Sequence, residues 1–189
     1  MNYWINLLDL TFLFFFPAYL ANLSPVIFSK INFLKGIFEF KLDIGKKLFG
    51  KRIFGDNKTL GGLIVGTFGG VIGAIIVILM INLFNWKIDL IGDKNILFMA
   101  YLGFLLGLGA LLGDLLESFV KRRIGILEGR PWWLFDQLDF VLGAWLFSGL
   151  LIPYSETWLL FLMALIITPP GHLLLNLLAF KLKLKKVWW

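Results

Sequence analysis

From Ile96 to Gly113 the chain reads ILFMAYLGFLLGLGALLG, and it continues without a break into Asp114-Leu115-Leu116-Glu117-Ser118-Phe119-Val120-Lys121-Arg122-Arg123. The first part is an uncharged apolar run long enough to approach the ~20 residues a helix needs to cross a ~30 Å hydrocarbon core. The second part keeps helical spacing while it turns ionic. Asp114, Glu117, Ser118, Lys121 and Arg122 fall at i, i+3, i+4, i+7 and i+8, so all five share one helical face. Acids lead and cations follow on that face. An intrahelical ion-pair ladder, worth a few tenths of a kcal/mol per pair, is one reading. The other starts from Asp114, because an acid at membrane depth is costly and is by default a functional group.

Working outward, four more apolar stretches stand between charged segments: about Ile5 to Phe28, Gly61 to Ile81, a run ending at Ile152, and Thr157 to Phe180. The composition agrees with a membrane protein. Hydrophobic residues make up 59% of the 189, charged residues 16%, and the mean hydropathy is +0.86, against roughly 45–50% apolar for a soluble domain. The net charge of +6 therefore does not point to nucleic acid, since 20 Phe and 8 Trp leave little solvated surface for a basic patch. With no Cys there is no disulfide, thiolate zinc site or cysteine nucleophile. Residues 1–29 contain no Lys or Arg, which is unlike a secretory signal, so the first span is expected to be retained.

Lys and Arg orient the chain, because cytoplasmic loops are enriched in them. Eight lie between Ser29 and Leu60, four between Phe119 and Gln137 (Lys121, Arg122, Arg123 and Arg130), and four in the tail (Lys181, Lys183, Lys185 and Lys186). The loop from Asn82 to Asn95 has only Lys87 and Lys94, and the turn Pro153 to Glu156 has none. The pattern predicts an all-α integral membrane protein of the cell membrane with five transmembrane helices, N-terminus outside and C-terminus cytoplasmic. It forms a single domain over 1–189, with cytoplasmic loops at about 29–60 and 119–137. Gly62, Gly66 and Gly70, and likewise Gly103 and Gly107, recur every fourth residue and suit close helix packing. The run Phe33 to Phe40 reads as a short interfacial helix.

The fourth span is short of apolar residues. Phe140 to Ile152 alone cannot cross, so a spanning helix must begin near Trp132 or Trp133, which draws Asp136 and Asp139 into the interfacial zone on one helical face. Two such carboxylates call for a neighbouring cation, a basic side chain or a metal. Alternatively both favour the helix N-terminus, where the dipole attracts anions. A third polar group, Gly55-Asp56-Asn57-Lys58-Thr59-Leu60-Gly61-Gly62, precedes the second span. Asn57 and Thr59 suit a helix cap, while Lys58 beside free N–H groups at a helix start also suits a phosphate.

All three groups fall on the side marked cytoplasmic. Carboxylates for a hard cation and Lys and Arg for phosphate oxygens, both at headgroup level, describe phosphoryl or nucleotidyl transfer to a lipid. Oxygen donors favour Mg²⁺ over a transition metal.

These residues resemble the CDP-archaeol synthase family, integral-membrane CTP-dependent cytidylyltransferases similar to CDP-diacylglycerol synthases. The resemblance rests on Gly113-Asp114 with Ser118 and Lys121-Arg122-Arg123, on Asp136-Gln137-Leu138-Asp139-Phe140, on Gly55-Asp56-Asn57-Lys58-Thr59, and on Thr168-Pro169 with His172 and Asn176. It implies transfer of CMP from CTP to 2,3-bis-O-geranylgeranylglycerol 1-phosphate, giving CDP-archaeol and pyrophosphate at a cytoplasmic site that binds CTP and Mg²⁺. It also implies roles. Asp114, Asp136 and Asp139 hold the metal; Lys121 and Arg122 meet phosphate; Asn57, Lys58, Thr59 and Ser118 help hold the nucleotide; Asp114, Lys121, Arg122 and Asp139 form the catalytic set. The chain departs from the pattern at Leu60-Gly61, where the family has Trp-Arg, and at Pro169-Pro170-Gly171. The two prolines are expected to kink the last helix, which turns His172 toward the cavity as a hydrogen-bonding group.

Three other readings remain open at this point, one of them a purely structural membrane scaffold, for which Asp136 and Asp139 would be dispensable. CDP-diacylglycerol synthesis from phosphatidic acid uses the same headgroup chemistry. A small cation transporter would use the same acids to line a path, although the outer halves of the second to fourth spans are almost wholly apolar and only Asp9 in the first span interrupts them.

Overall fold

In the computed structural model, residues 3–29, 31–84, 86, 88, 90 and 95–181 are described. Lys30, Lys87, Lys94, Lys183, Lys185 and Lys186, which helped to orient the chain, lie outside them. Helix α1 spans Tyr3–Phe28, a 3₁₀ turn Asn32–Leu34 leads into the short α2 (Lys35–Glu39), and the two-residue strands β1 (Lys47–Leu48) and β2 (Lys51–Arg52) form a hairpin. Helices α3 (Leu60–Leu83), α4 (Ile96–Ile124), α5 (Phe135–Ser148) and α6 (Tyr154–Lys181) follow.

The protein is mostly helical, and α1, α3, α4 and α6 are each long and apolar enough to cross a bilayer. The outer face of α3 agrees with that environment: Ile64, Phe68, Ile72, Ile76 and Leu79 recur at three- and four-residue spacing and stay exposed. Inside the bundle, Phe14, Phe15 and Ala18 of α1 meet Met99, Leu102 and Leu106 of α4 and Phe140, Val141 and Ala144 of α5.

Helix α5 departs from the expected start near Trp132. It begins at Phe135, after Leu134 adopts a positive φ of 67°, and at 14 residues it rises only ~21 Å. The turn before it is held by its own polar groups. The Trp132 N–H donates to Asp136 Oδ2 at 2.9 Å and the Asp136 N–H donates to the Trp132 carbonyl at 3.1 Å.

The other boundaries follow local chemistry. Thr59 caps α3 by accepting the Gly62 N–H at 3.1 Å, and Asn95 caps α4 by accepting the Phe98 N–H at 2.8 Å. Gly125, at φ 88°, ends α4 in the left-handed conformation, with Lys121, Arg122 and Arg123 in the last turn opposite the dipole's negative end. Glycines let the helices touch. A Cβ on Gly70 would stand 2.5 Å from the Gly103 carbonyl oxygen, and one on Gly143 only 2.1 Å from that of Gly109. The first contact joins α3 to α4 and the second joins α4 to α5, which brings the polar ends of all three together.

Candidate active site

The loop from Lys41 to Thr59 is folded around a single buried acid. The Asp43 side chain is 0% exposed, and it accepts Arg52 Nη2 at 2.6 Å and Nε at 3.2 Å as well as the backbone N–H groups of Gly45, Phe54 and Gly55. Burial alone would push the Asp43 carboxyl upward. The Arg52 guanidinium and the three N–H donors outweigh it and hold the group well below the ordinary carboxylate range. Asp56 is held low by the Lys41 ammonium and then by Arg52. Arg123 at the end of α4 donates to the Arg52 carbonyl at 2.8 Å, which ties the loop to that helix.

This bracing presents Asn57 and Lys58 over the ends of α4 and α5. A cavity of about 260 Å³ lies beneath them. Asn57, Lys58, Asp114, Ser118, Lys121, Arg122, Asp136 and Asp139, eight of the nine residues singled out from the sequence, line it. Thr59 does not; its hydroxyl is engaged in capping α3, and it lines a neighbouring cavity instead.

Within the cavity the acids divide into two groups. Asp114, Glu117 and Asp139 each bring a carboxylate oxygen to within 4.8 Å of the other two. Asp136 lies outside that set but adjoins Glu117. Its two oxygens take Lys121 Nζ at 2.7 Å and the Trp132 N–H at 2.9 Å. Asp136 and Asp139, three residues apart on α5, therefore meet different partners: Asp136 meets Lys121 and adjoins Glu117, while Asp139 joins Asp114 and Glu117.

The cations are partly committed as well. Lys58 Nζ lies 2.5 Å from Asp114 Oδ2, and Lys121 Nζ lies 3.2 Å from Glu117 Oε1, the one i,i+4 rung of the ladder that forms. That contact is close enough for ionic attraction but is not aligned as a hydrogen bond, so Glu117 Oε1 is buried without a hydrogen-bond partner among the described residues, as are Arg122 Nε and the Nε and Nη2 of Arg123. A buried polar atom left in this state is costly unless a ligand completes it. His172 and Asn176 of α6, 3.3 Å apart, close another wall of the cavity, and the α6 segment is anchored to α1 by Tyr19 Oη and Thr168 Oγ1 at 2.8 Å.

A hard cation fits the donor set of Asp114, Glu117 and Asp139. The set consists of oxygens only, and one member has an oxygen lacking an aligned donor. Glu117 carried a signal in the sequence, since it sits three residues after Asp114 on the same face, but the carboxylate pair on α5 drew the ligand assignment away from it. Glu128 had no such signal. It lines the cavity from the loop between α4 and α5 and accepts the Asn57 N–H at 2.9 Å across the two loops; only the folded chain brings residues so far apart in sequence together.

Comparison with known proteins gives one consistent result. A family model described as "CarS-like: CDP-archaeol synthase" matches residues 4–189. A CDP-archaeol synthase of Methanococcus aeolicus is 39% identical over 182 residues, covering 95% of each chain. Those of Methanocaldococcus jannaschii and Pyrococcus furiosus are 37% and 40% identical, covering 92% and 94% of this chain and 92% and 96% of their own. A solved structure described as "an intramembrane enzyme for archaeal membrane lipids biosynthesis" superposes with a TM-score of 0.68 at 32% identity, covering 88% of this chain and 92% of that one.

Proposed function

This chain belongs to the CDP-archaeol synthase family, and we propose that it transfers CMP from CTP to an archaeal ether-lipid phosphate, 2,3-bis-O-geranylgeranylglycerol 1-phosphate, giving CDP-archaeol and pyrophosphate. We read it as a single five-helix membrane domain over 1–189 with the N-terminus outside, the C-terminus inside and the site on the cytoplasmic face. The observation that carries the reading is the convergence of Asp114, Glu117 and Asp139 from two helices at one cavity that Lys121 and Arg122 also line.

The chemistry brings two anions together. An oxygen of the acceptor phosphate attacks the α-phosphorus of CTP, a new P–O bond forms, and the bond from the α-phosphorus to the α,β-bridging oxygen breaks. Pyrophosphate leaves with that electron pair. A dianionic acceptor phosphate, the prevalent form above its second pKa of about 6, needs no general base. Positioning and charge stabilisation therefore do most of the work.

Arg122, with an unpartnered buried Nε, and Lys121 are placed to neutralise phosphate oxygens of the triphosphate. Asn57 and Lys58 hold the nucleotide from above, and Ser118 contributes from the α4 face. Asp114 and Asp139 would hold Mg²⁺ with Glu117. Asp136, through Lys121, orients the cation rather than binding the metal directly. When bound, the metal would supply charge neutralisation across the triphosphate and its leaving group.

The decisive experiment is label transfer from α-labelled CTP, with and without Mg²⁺, to ether and ester lipid phosphates offered side by side. Mg²⁺-dependent transfer to the ether lipid is expected; an absence of transfer to either lipid would refute the proposal.

A further inference from the structure

The hairpin of β1 and β2 carries a patch that the cavity chemistry does not use. Ile44 and Gly45 are consecutive residues at positive φ, 49° and 75°, and so are Phe49 and Gly50, at 52° and 75°. Two such residues in a row make the tight turn that Asn-Gly or Asp-Gly ordinarily fills, and a β-branched or bulky side chain at positive φ is a rare and strained choice. In both turns the strained position holds an apolar side chain, and in both it is turned outward: Ile44 is 68% exposed and Phe49 87%. The acyl-chain region does not account for this exposure, because the hairpin lies between the apolar segments Leu7–Phe28 and Leu60–Leu83 and belongs to neither. Between the two turns stand Lys46 and Lys47, both exposed. The nearby acids are engaged elsewhere, Asp43 with Arg52 and Asp56 with Lys41 and Arg52. No carboxylate pairs with Lys46 or Lys47 among the described residues.

The hairpin is also held at a definite height. The Leu42 N–H donates to the Lys58 carbonyl and the Leu60 N–H to the Phe40 carbonyl, both at 2.9 Å, so the segments entering and leaving the hairpin are joined at the start of α3. On the other side Lys51 Nζ donates to the Arg123 carbonyl at 3.2 Å and Arg123 Nη1 donates to the Arg52 carbonyl at 2.8 Å, in the last turn of α4. The 29 residues of α4 rise about 43 Å, which matches the ~40–45 Å of a bilayer with its headgroups included. The last turn of a spanning α4, and the hairpin fastened to it, therefore lie at headgroup level. We propose that the hairpin is a contact for anionic lipid, in which Ile44 and Phe49 enter the headgroup layer while Lys46 and Lys47 meet lipid phosphates. The class of partner follows from the pattern. Two cations call for anions, and two large apolar side chains held outward on a strained backbone call for a medium less polar than water just behind those anions. An anionic leaflet supplies both, and it attracts basic residues that stand within a Debye length of it. Because Leu42 is bonded to Lys58, lipid contact at the hairpin braces the loop that carries Asn57 and Lys58.

The absence of native cysteine makes a direct test available, because any introduced thiol is the only one. Leu48→Cys, on β1 between the two turns, keeps both apolar residues and both lysines. The full chain, labelled there with a nitrobenzoxadiazole dye and placed in nanodiscs of phosphatidylcholine with phosphatidylglycerol, should be quenched by lipid spin-labelled near the headgroup, and less so in pure phosphatidylcholine. Lys46→Gln and Lys47→Gln should each lower the docked-to-undocked ratio in the anionic discs about fivefold. Ile44→Asn and Phe49→Asn separate docking from folding, since Asn suits a positive φ. Each should raise the thermal midpoint in detergent and weaken the quenching, whereas a merely structural role for these turns would raise the midpoint and leave quenching as it was. Four results would overturn the proposal: no quenching in anionic discs, equal quenching in neutral and anionic discs, quenching that survives both Asn substitutions, or a dye shielded in detergent in proportion to protein concentration, which would mean that a second copy covers the hairpin.

Discussion

Gly113 packs on the backbone of Asp139 so closely that a Cβ there would lie 2.2 Å from the Asp139 carbonyl oxygen. The contact fixes the depth at which α4 meets α5. It thereby sets the spacing of two carboxylates, those of Asp114 and Asp139, one of them on the very next residue. Gly113→Ala must part the helices at this point, since the neighbour is backbone and cannot rotate away. Overpacking of this kind costs about 1–3 kcal/mol. The expected result is a lower thermal midpoint together with a loss of divalent-cation affinity larger than the stability loss explains, measured by Mn²⁺ titration of folded protein. Unchanged cation affinity would mean that the close contact is not what spaces the acids.

Asp114→Asn and Asp139→Asn each keep the side-chain volume and remove one charge from the converging set. CTP turnover should fall by about 10²-fold or more in each, the scale on which one group acting on transition-state charge is lost. Both variants should remain in the membrane fraction. Turnover at the wild-type rate in both would exclude these acids from the reaction.

Glu117 and Asp136 separate two roles that are easily confused. Glu117 shares the cluster with Asp114 and Asp139 and lies 3.2 Å from Lys121 Nζ, whereas Asp136 takes Lys121 Nζ at 2.7 Å and the Trp132 N–H. Glu117→Gln should therefore raise the Mg²⁺ concentration needed for half-maximal turnover at a fixed CTP level. Asp136→Asn should leave that concentration nearly unchanged and raise KM for CTP, because Lys121 loses the nearer of its two carboxylate partners. The reverse pattern would return Asp136 to the metal and remove Glu117 from it.

The difference between those two acids also marks where a sequence stops being informative. The apolar runs and the ionic face of α4 are written in local periodicity, so the long helices and the helix end that carries the acids could be read directly. The partner of a charged side chain is not local. Lys58 meets Asp114 across 56 positions and Glu128 meets the Asn57 N–H across 71, and nothing in the spacing of either segment specifies the match. The start of α5 was hidden for a related reason. Membrane thickness called for a helix from Trp132, but Asp136 satisfies the Trp132 backbone N–H and Leu134 turns to positive φ, so hydrogen bonding at the helix end overrode the length expected of a span.

Asp43 is absent from the cavity lining, yet it organises the loop that delivers Asn57 and Lys58 to the cavity. Its carboxylate is fully buried and paired with Arg52 at 2.6 Å. Asp43→Asn should then cost about 3 kcal/mol at neutral pH, the scale for breaking a buried ion pair by removing one charge. The pH dependence has a definite sign. The folded-state pKa of Asp43 lies below its unfolded value, so the folded protein binds fewer protons there, and the contribution is complete above the ordinary carboxylate range near pH 4. It is lost progressively as pH falls below that range toward the folded-state value. Thermal unfolding of wild type and Asp43→Asn in detergent should give midpoints separated by a constant amount from pH 8 down to about pH 5 and converging below about pH 4. Because the same loop carries Lys58, the variant should also raise KM for CTP more than it lowers kcat. Parallel acid limbs for the two proteins would show that Asp43 is not ionised in the folded loop, and an unchanged KM would show that its bracing does not reach Lys58.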